Sequence, residues 1–276
     1  MNQFNAILTT VADWALYPLS RWPLVTLLVW SAITGVLMTL VFRYTSNQKA
    51  LVRVVDRSRG HLLAIKLFKD DLRGMFGSLF HIFRLVGARL WYSVAPILVM
   101  IIPLLLLLAQ LALRYEHRPL TVGESAIVEL QLTPDAWVSY QGANLERSDN
   151  FAIETEALRD QSQHAVFWRI KPTSEGSSML RWQLGPTAVE KHFVSSDNNG
   201  KVQLVSRRRA GSNLLDRVLN PGEPAFSLFS PIAAIVVHYP RRETPLLGWA
   251  VPWWLTFFGV SIIVALLMQP VLKVKF

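Results

Sequence analysis

The residues able to do chemistry are scattered, and no set of them has the spacing of a catalytic or metal-binding site. His164 and His192 stand 28 positions apart, and with no ligand-like spacing between them each reads as a strand histidine on a solvated face. Gly123-Glu124-Ser125-Ala126 has half of a nucleophile elbow, but the final glycine is missing and a strand pattern follows where a helix is required. Between residues 114 and 245 there are 15 acids and 15 bases, and nothing selects two carboxylates for acid–base work. Arg207-Arg208-Arg209 reads as a solvated loop, with an anionic partner or headgroup as the alternative. The chain has no cysteine, which excludes disulfides, thiolate-held metals and thiol catalysis. No phosphate-binding glycine loop occurs. The expectation is a protein that is not an enzyme, with no catalytic residues, no metal and no cofactor.

The elements that position these residues follow from composition. Of 276 residues, 51% are hydrophobic and 17% charged, and mean hydropathy is +0.30. This balance fits neither a disordered chain nor an ordinary soluble domain. The apolar residues concentrate in three blocks. Leu24 to Phe42 is 19 residues without a charge, about 28 Å of helix, which matches the hydrocarbon thickness. Val94 to Leu113 holds Gln110 as its one strongly polar member, with Pro96 and Pro103 inside, both tolerable where neighbouring helices absorb a missing backbone bond. Trp249 to Met268 is uncharged and begins with Trp249, Trp253 and Trp254, rings suited to a membrane interface.

Charge orients these spans. Residues 43 to 93 carry ten bases against three acids, a net of +7, and the tail adds Lys273 and Lys275, while residues 1 to 23 and 114 to 245 are each neutral. Together they make the formal +9. A three-span chain puts both positive segments on one side, which the positive-inside rule makes cytoplasmic. The charge is therefore read as a topology signal, without a nucleic-acid partner. The first span is too long for a signal-peptide core and lacks a basic leader, so it is expected to stay.

Residues 1 to 23 carry Phe4, Ile7, Leu8, Val11, Trp14 and Ala15 at helix spacing, which predicts an interfacial helix on the outer leaflet. Residues 43 to 93 show helical periodicity through Leu51, Val55, Leu62, Ile65, Phe68, Leu72, Met75 and Leu79. A break at Ser58-Arg59-Gly60-His61 would make of them a hairpin, or a long helix with a short one preceding it. Met75, Phe76, Phe80 and Phe83 form an apolar cluster for a client, the membrane or the hairpin itself. From residue 121 the pattern turns to short β-branched and aromatic runs. Strands are expected at Ala126–Leu132, Ala136–Tyr140, His164–Lys171, Ser178–Leu184, Thr187–Val194, Lys201–Ser206 and Ile232–Tyr239, with a small helix over Asn213–Leu219. Seven short strands suggest an antiparallel sandwich.

The fold class is thus an α+β membrane protein. Its segments run as an interfacial helix (1–23), a first span (24–42), a basic cytoplasmic helical hairpin (43–93), a second span (94–113), an extracytoplasmic antiparallel β-sandwich (114–245), and a third span with a cytoplasmic tail (246–276). The expected location is a bacterial inner membrane, with the N-terminus and β domain outside.

Two stretches, Ala95-Pro96-Ile97-Leu98-Val99-Met100-Ile101-Ile102-Pro103 and Gly248-Trp249-Ala250-Val251-Pro252-Trp253-Trp254 running into Leu272-Lys273-Val274, resemble the second and third spans of the YidC-type insertase superfamily. The resemblance covers residues 20 to 115 and 245 to 276, and extends to the three-span cores of the archaeal relatives and of subunit three of the endoplasmic-reticulum membrane protein complex. The chain departs from the family in its inserted β domain and in lacking a buried arginine in span one, where Arg43 at the edge is the nearest. What the resemblance implies is a polar groove among three spans that eases client segments into the membrane. Such a groove needs polar atoms at membrane depth: Thr34 and Thr39, Arg43 and Arg89 at the inner edge, Ser261, and Gln110 near the outer end. The expected partners are the lipid bilayer and hydrophobic client segments or other membrane subunits. The alternative is a structural envelope protein anchoring a partner-binding sandwich.

Overall fold

The computed structural model describes residues 2–46, 53, 56, 60, 72–140, 142–185, 187–197, 201–227, 229–246 and 248–274. The chain divides into two compact units, one of residues 1–27 and 105–253, the other of residues 28–104 and 254–276. The amino-terminal segment therefore belongs with the β-rich segment.

In the first unit, α1 (Asn2–Leu16) is followed by a 3-10 turn over Tyr17–Leu19. Pro18 sits at the start of that turn, where its missing N–H costs nothing, and it prevents α1 from continuing. The β-rich part is built on β1 (Ala126–Leu132), which lies at the expected position. β1 pairs antiparallel with β5 (Ala165–Pro172) on one side and β9 (Ile232–Val237) on the other. β3 (Phe151–Ile153), β4 (Leu158–Asp160) and β8 (Arg208–Arg209) complete a six-stranded sheet. β6 (Gly176–Leu184) and β7 (Thr187–Ser195) form a long hairpin joined at its edge by β2 (Asn144–Leu145).

Period-two alternation explains the core. Along β6, Leu180, Trp182 and Leu184 are buried while Met179, Arg181 and Gln183 are exposed. Their apolar face joins Val128, Leu130, Trp168, Ile170, Ile235 and Val237 of the larger sheet in one cluster. The Trp168 and Trp182 rings lie 6.2 Å apart, and Phe193 stands 6.3 Å from both Phe151 and Tyr239. Aromatic contacts at such distances add about 0.5–1.5 kcal/mol each to area burial.

Three expected elements differ. Residues 136–140 are not a strand: α4 (Pro134–Ser139) occupies them, because Thr133 caps Ala136 N–H and Pro134 sits at the first turn. Residues 201–206 form no regular strand, since their amides bond outside the sheets, Val202 to the Ser20 carbonyl and Val205 to that of Leu113. The expected small helix is present as α5 (Leu214–Leu219), capped by Asn213. The last apolar helix starts at Trp253 and not at Trp249, because Trp249–Val251 (β11) pairs with Thr244–Leu246 (β10). Gly248 at φ +86° makes that ribbon's turn.

Three helices are long and apolar enough to cross a bilayer: α2 (Pro23–Thr45), the Pro96–Tyr115 part of α3 (Leu72–Tyr115), and α6 (Trp253–Val271). The chain is thus an α+β protein with three candidate membrane spans. α3 runs unbroken for 44 residues, through Pro96 and Pro103, so the basic segment enters the second span without a joint. Of the expected 58–61 turn only Gly60 is described, and the hairpin it was to make lies largely outside the described residues.

Candidate functional site

In the second unit, the groove candidates on α2 sit at helical repeats. Ser31, Gly35 and Thr39 fall four apart, on one face, and Ser31, Thr34 and Thr39 are all buried. The Thr34 hydroxyl donates to the Trp30 carbonyl at 2.7 Å and the Thr39 hydroxyl to that of Gly35 at 2.8 Å. Both bonds stay within the helix, and each satisfies its hydroxyl locally. Ser261 on α6 donates across to the Ser31 carbonyl at 3.0 Å. A Cβ on Gly35 would fall 2.5 Å from the Ser261 carbonyl oxygen and 3.1 Å from Val264 Cβ. Small residues thus let the two backbones meet, the usual basis of helix packing in lipid. Toward the ends of these helices Phe42 and Val274 are buried together, with Met100 and Leu272 against them. Arg43 is exposed, its guanidinium 5.9 Å from the Tyr44 ring centre. Arg89 lies within α3. Thr256 Oγ1 is buried with no hydrogen-bond partner among the described residues.

Gln110 belongs to the first unit, where it forms part of a clamp. On the last turns of α3, Gln110 and Arg114 are buried and meet Thr9 and Asp13 of α1, which with Asn5 repeat every four residues along that helix. Gln110 Nε2 donates to Thr9 Oγ1 at 3.2 Å. The Arg114 guanidinium, 2% exposed, donates to the Gln110 carbonyl at 2.7 Å, to Gln110 Oε1 at 3.1 Å and to the Asp13 carboxylate. Asn5 donates to the Arg217 carbonyl at 3.0 Å, fastening α1 to α5. Gln110, expected as a groove residue near the outer end, thus bonds the amino-terminal helix. Asp13 and Arg114 were missed as a pair; the only sign is that Asp13 is the single acid before the first span.

With its polar face spent on protein, α1 turns its apolar face outward. Phe4, Ile7, Val11 and Trp14 are 54%, 64%, 56% and 82% exposed. A helix docked on a soluble core does the reverse.

Around the end of α3 lies a basic region. His117 is buried and bridges to Arg241 through the backbone. Burial first, then the charges of Arg207, Arg241 and His238, hold its imidazole down at about 4. Arg242 donates to the Lys201 carbonyl at 3.0 Å, and Val202 N–H to the Ser20 carbonyl at 2.9 Å. The arginine triplet is not a uniform loop. Arg208 pairs with Asp216 at 2.9 and 3.1 Å, and Arg209 donates to the Pro224 carbonyl at 2.9 Å and stacks on Phe226 at 4.2 Å. Only Arg207 is exposed.

Elsewhere Lys191 and Glu223 form an ion pair that is 0% and 3% exposed. Lys191 Nζ also donates to the Ser206 carbonyl at 2.8 Å, and Glu223 accepts the His192 N–H at 3.0 Å. Burial pushes the Lys191 ammonium below its ordinary range, against the opposing pull of Glu223. An open cavity of about 1220 Å³ runs by β2 and β3, lined by Arg147, Asp149, Glu154, Glu156 and Trp168 among others. Ser125 Oγ donates to Glu154 at 2.7 Å in place of any base. His164 takes φ +49° at the turn into β5, not a strand position, while His192 is an exposed strand residue as expected. Among the described residues no group of three histidines or acids is placed to hold a metal. Compared with protein-family models, curated proteins and solved structures, the chain matches none.

Proposed function

We propose that this chain is a structural membrane protein, whose three spans anchor a partner-binding β-sandwich in a larger assembly of a bacterial inner membrane. One observation carries the reading. The hydroxyls that a client groove would need are already bonded: those of Thr34 and Thr39 donate to carbonyls of their own helix, and that of Ser261 donates to the Ser31 carbonyl across a close α2–α6 contact. Polar atoms already bonded and packed have little left to lower the barrier for a passing polar segment. The charge asymmetry supports an orientation with the basic 43–93 segment cytoplasmic and the β domain outside. The cavity beside β2 and β3 is the partner surface of the proposal, because both strands are sheet edges with backbone groups open to an added segment.

Insertase-like biogenesis is the second reading, favoured by the resemblance of the spans and by one exposed ridge. Phe80, Phe83, Leu90 and Trp91 on α3 are all exposed before the second span, a surface that could receive apolar clients. Photocrosslinkers at positions 39, 43 and 89 and at Ala152 beside the cavity separate the two. The anchor reading expects fixed partner subunits from position 152 and only lipid or those subunits from the span positions. Nascent membrane chains captured from positions 39, 43 and 89 would overturn it in favour of the insertase.

A further inference from the structure

Three features of the first unit meet at the ends of the spans. α1 exposes an apolar stripe four residues wide, Phe4, Ile7, Val11 and Trp14, and continues it into Tyr17 and Trp22, both largely exposed. It stands immediately before α2, which begins at Pro23. The helix is held from its other face, by Asn5, Thr9 and Asp13, so the stripe has no protein to cover it within the unit. The third feature is charge. The Ser20–Val202 hydrogen bond brings Lys201 next to Arg21, Arg242 bonds the Lys201 carbonyl, and Arg241 and Arg207 flank His117. Arg21, Lys201, Arg207 and Arg241 are exposed and have no ion-pair partner among the described residues. The acids next to this group in sequence are Glu116 and Glu243, too few to neutralise it.

We infer that α1 and this basic foot form one lipid-docking surface. The Phe4, Ile7, Val11 and Trp14 face sinks into the leaflet at the start of α2, while Arg21, Lys201, Arg207 and Arg241 engage the phosphates of anionic phospholipids. The occupant is the bilayer that the spans cross. An apolar stripe with aromatic rings, flanked by cations and continuous with a span, has the composition of an interfacial helix. Basic side chains at that level are attracted to anionic headgroups, each by roughly fivefold in association. The buried Arg114 sets the depth of the helix, because it ties α1 to the end of α3 and hence to the hydrocarbon boundary. The inference rests on the membrane location and is independent of what the β domain binds.

The test uses the full chain in nanodiscs. Native cysteine is absent, so single nitroxide labels can be placed at Phe4→Cys, Val11→Cys and Trp14→Cys, with Glu156→Cys as a reference on the β domain. Oxygen should relax the three α1 labels more than a water-soluble nickel chelate does, with the order reversed at position 156. Equal nickel access at all four positions would overturn the insertion. For the charges, the unfolding midpoint is compared in phosphatidylcholine discs and in discs with a quarter phosphatidylglycerol. The midpoint should rise with the anionic lipid, and the rise should vanish in about 0.5 M salt, where the screening length is only a few ångströms. In the K201E/R207E/R241E variant it should fall below half, with R207Q and R241Q each giving partial losses. An unchanged midpoint in the wild type would remove the phosphate contacts. Failure of the chain to stay in the disc at all would refute the membrane reading itself.

Discussion

Glu223→Gln isolates the cost of a buried charge. The substitution keeps the size of the side chain and one carbonyl oxygen, which can still accept the His192 N–H, but it removes the counter-charge from Lys191. That ammonium is fully buried and retains only Ser206 as an acceptor. Breaking a buried pair in this way typically costs ~3–5 kcal/mol. Lys191 has one escape, which is to give up its proton, and from an ordinary value of 10.5 this costs about 5 kcal/mol at pH 7. The loss is therefore capped near that figure. The cap also falls with pH. In the variant the folded state holds neutral Lys191 while the unfolded state still binds the proton, so stability rises by about 1.4 kcal/mol per pH unit until the unfolded lysine titrates. Chemical unfolding of the full chain in micelles, followed by tryptophan fluorescence from pH 7 to 10, reads both numbers. The double variant Lys191→Met, Glu223→Leu should return to within about 1 kcal/mol of wild type or exceed it. A single-variant loss under about 1 kcal/mol, or a loss that does not shrink with pH, would refute the reasoning.

Further outcomes follow from the other sites. His117, held at about 4 against an ordinary 6.5, makes the chain's stability complete above pH 6.5. The unfolded state takes up the extra proton first, so up to ~3 kcal/mol is lost as pH falls from 6.5 to 4, and His117→Gln should flatten that slope in a pH series of thermal melts. Gly35→Ala gains ~1 kcal/mol of helix propensity but drives a Cβ onto the Ser261 carbonyl, an overpacking cost of ~1–3 kcal/mol. The denaturation midpoint in mixed micelles should drop, and a rise would mean α2 and α6 are not in contact. Arg114→Met removes every charge-assisted bond to α1, so amides 5 to 16 should exchange with deuterium at least tenfold faster while those of β6 hold their rates.

How much of this was legible depended on the range of the interaction. The three apolar blocks announce themselves because each span must satisfy its own backbone within one continuous stretch. β1, β6 and β7 were equally readable, since alternation is local. Residues 136–140 were misread because Thr-Pro-Asp signals both a turn and a helix start, and the choice lies in whether Thr133 caps Ala136. Residues 201–206 have the composition of a strand, but their amides bond to Ser20 and Leu113, which no pattern along the segment reveals. Lys191 left a trace: it shares strand parity with buried Val189 and Phe193, so alternation alone puts a lysine in the core. Its partner, 32 residues away, did not. The groove candidates were legible as polar residues within or beside apolar blocks, but whether their hydroxyls face a client or helix carbonyls is a rotamer choice made by packing.

Seven of the buried or half-buried polar residues described above share one property that Thr256 Oγ1 lacks among the described residues. Thr34, Thr39, Ser261, Gln110, Arg114, Lys191 and Glu223 each have a partner close at hand. Because an unsatisfied polar atom is costly in an apolar interior, such groups hold helices and strands in place and have little capacity left for a ligand. Unspent capacity lies at the surface instead, in the apolar face of α1, in the cations beside it, and in the edge strands β2 and β3. Under the attachment role proposed above, the apolar face of α1 and the edge strands are the two surfaces where loss of attachment should be sought first.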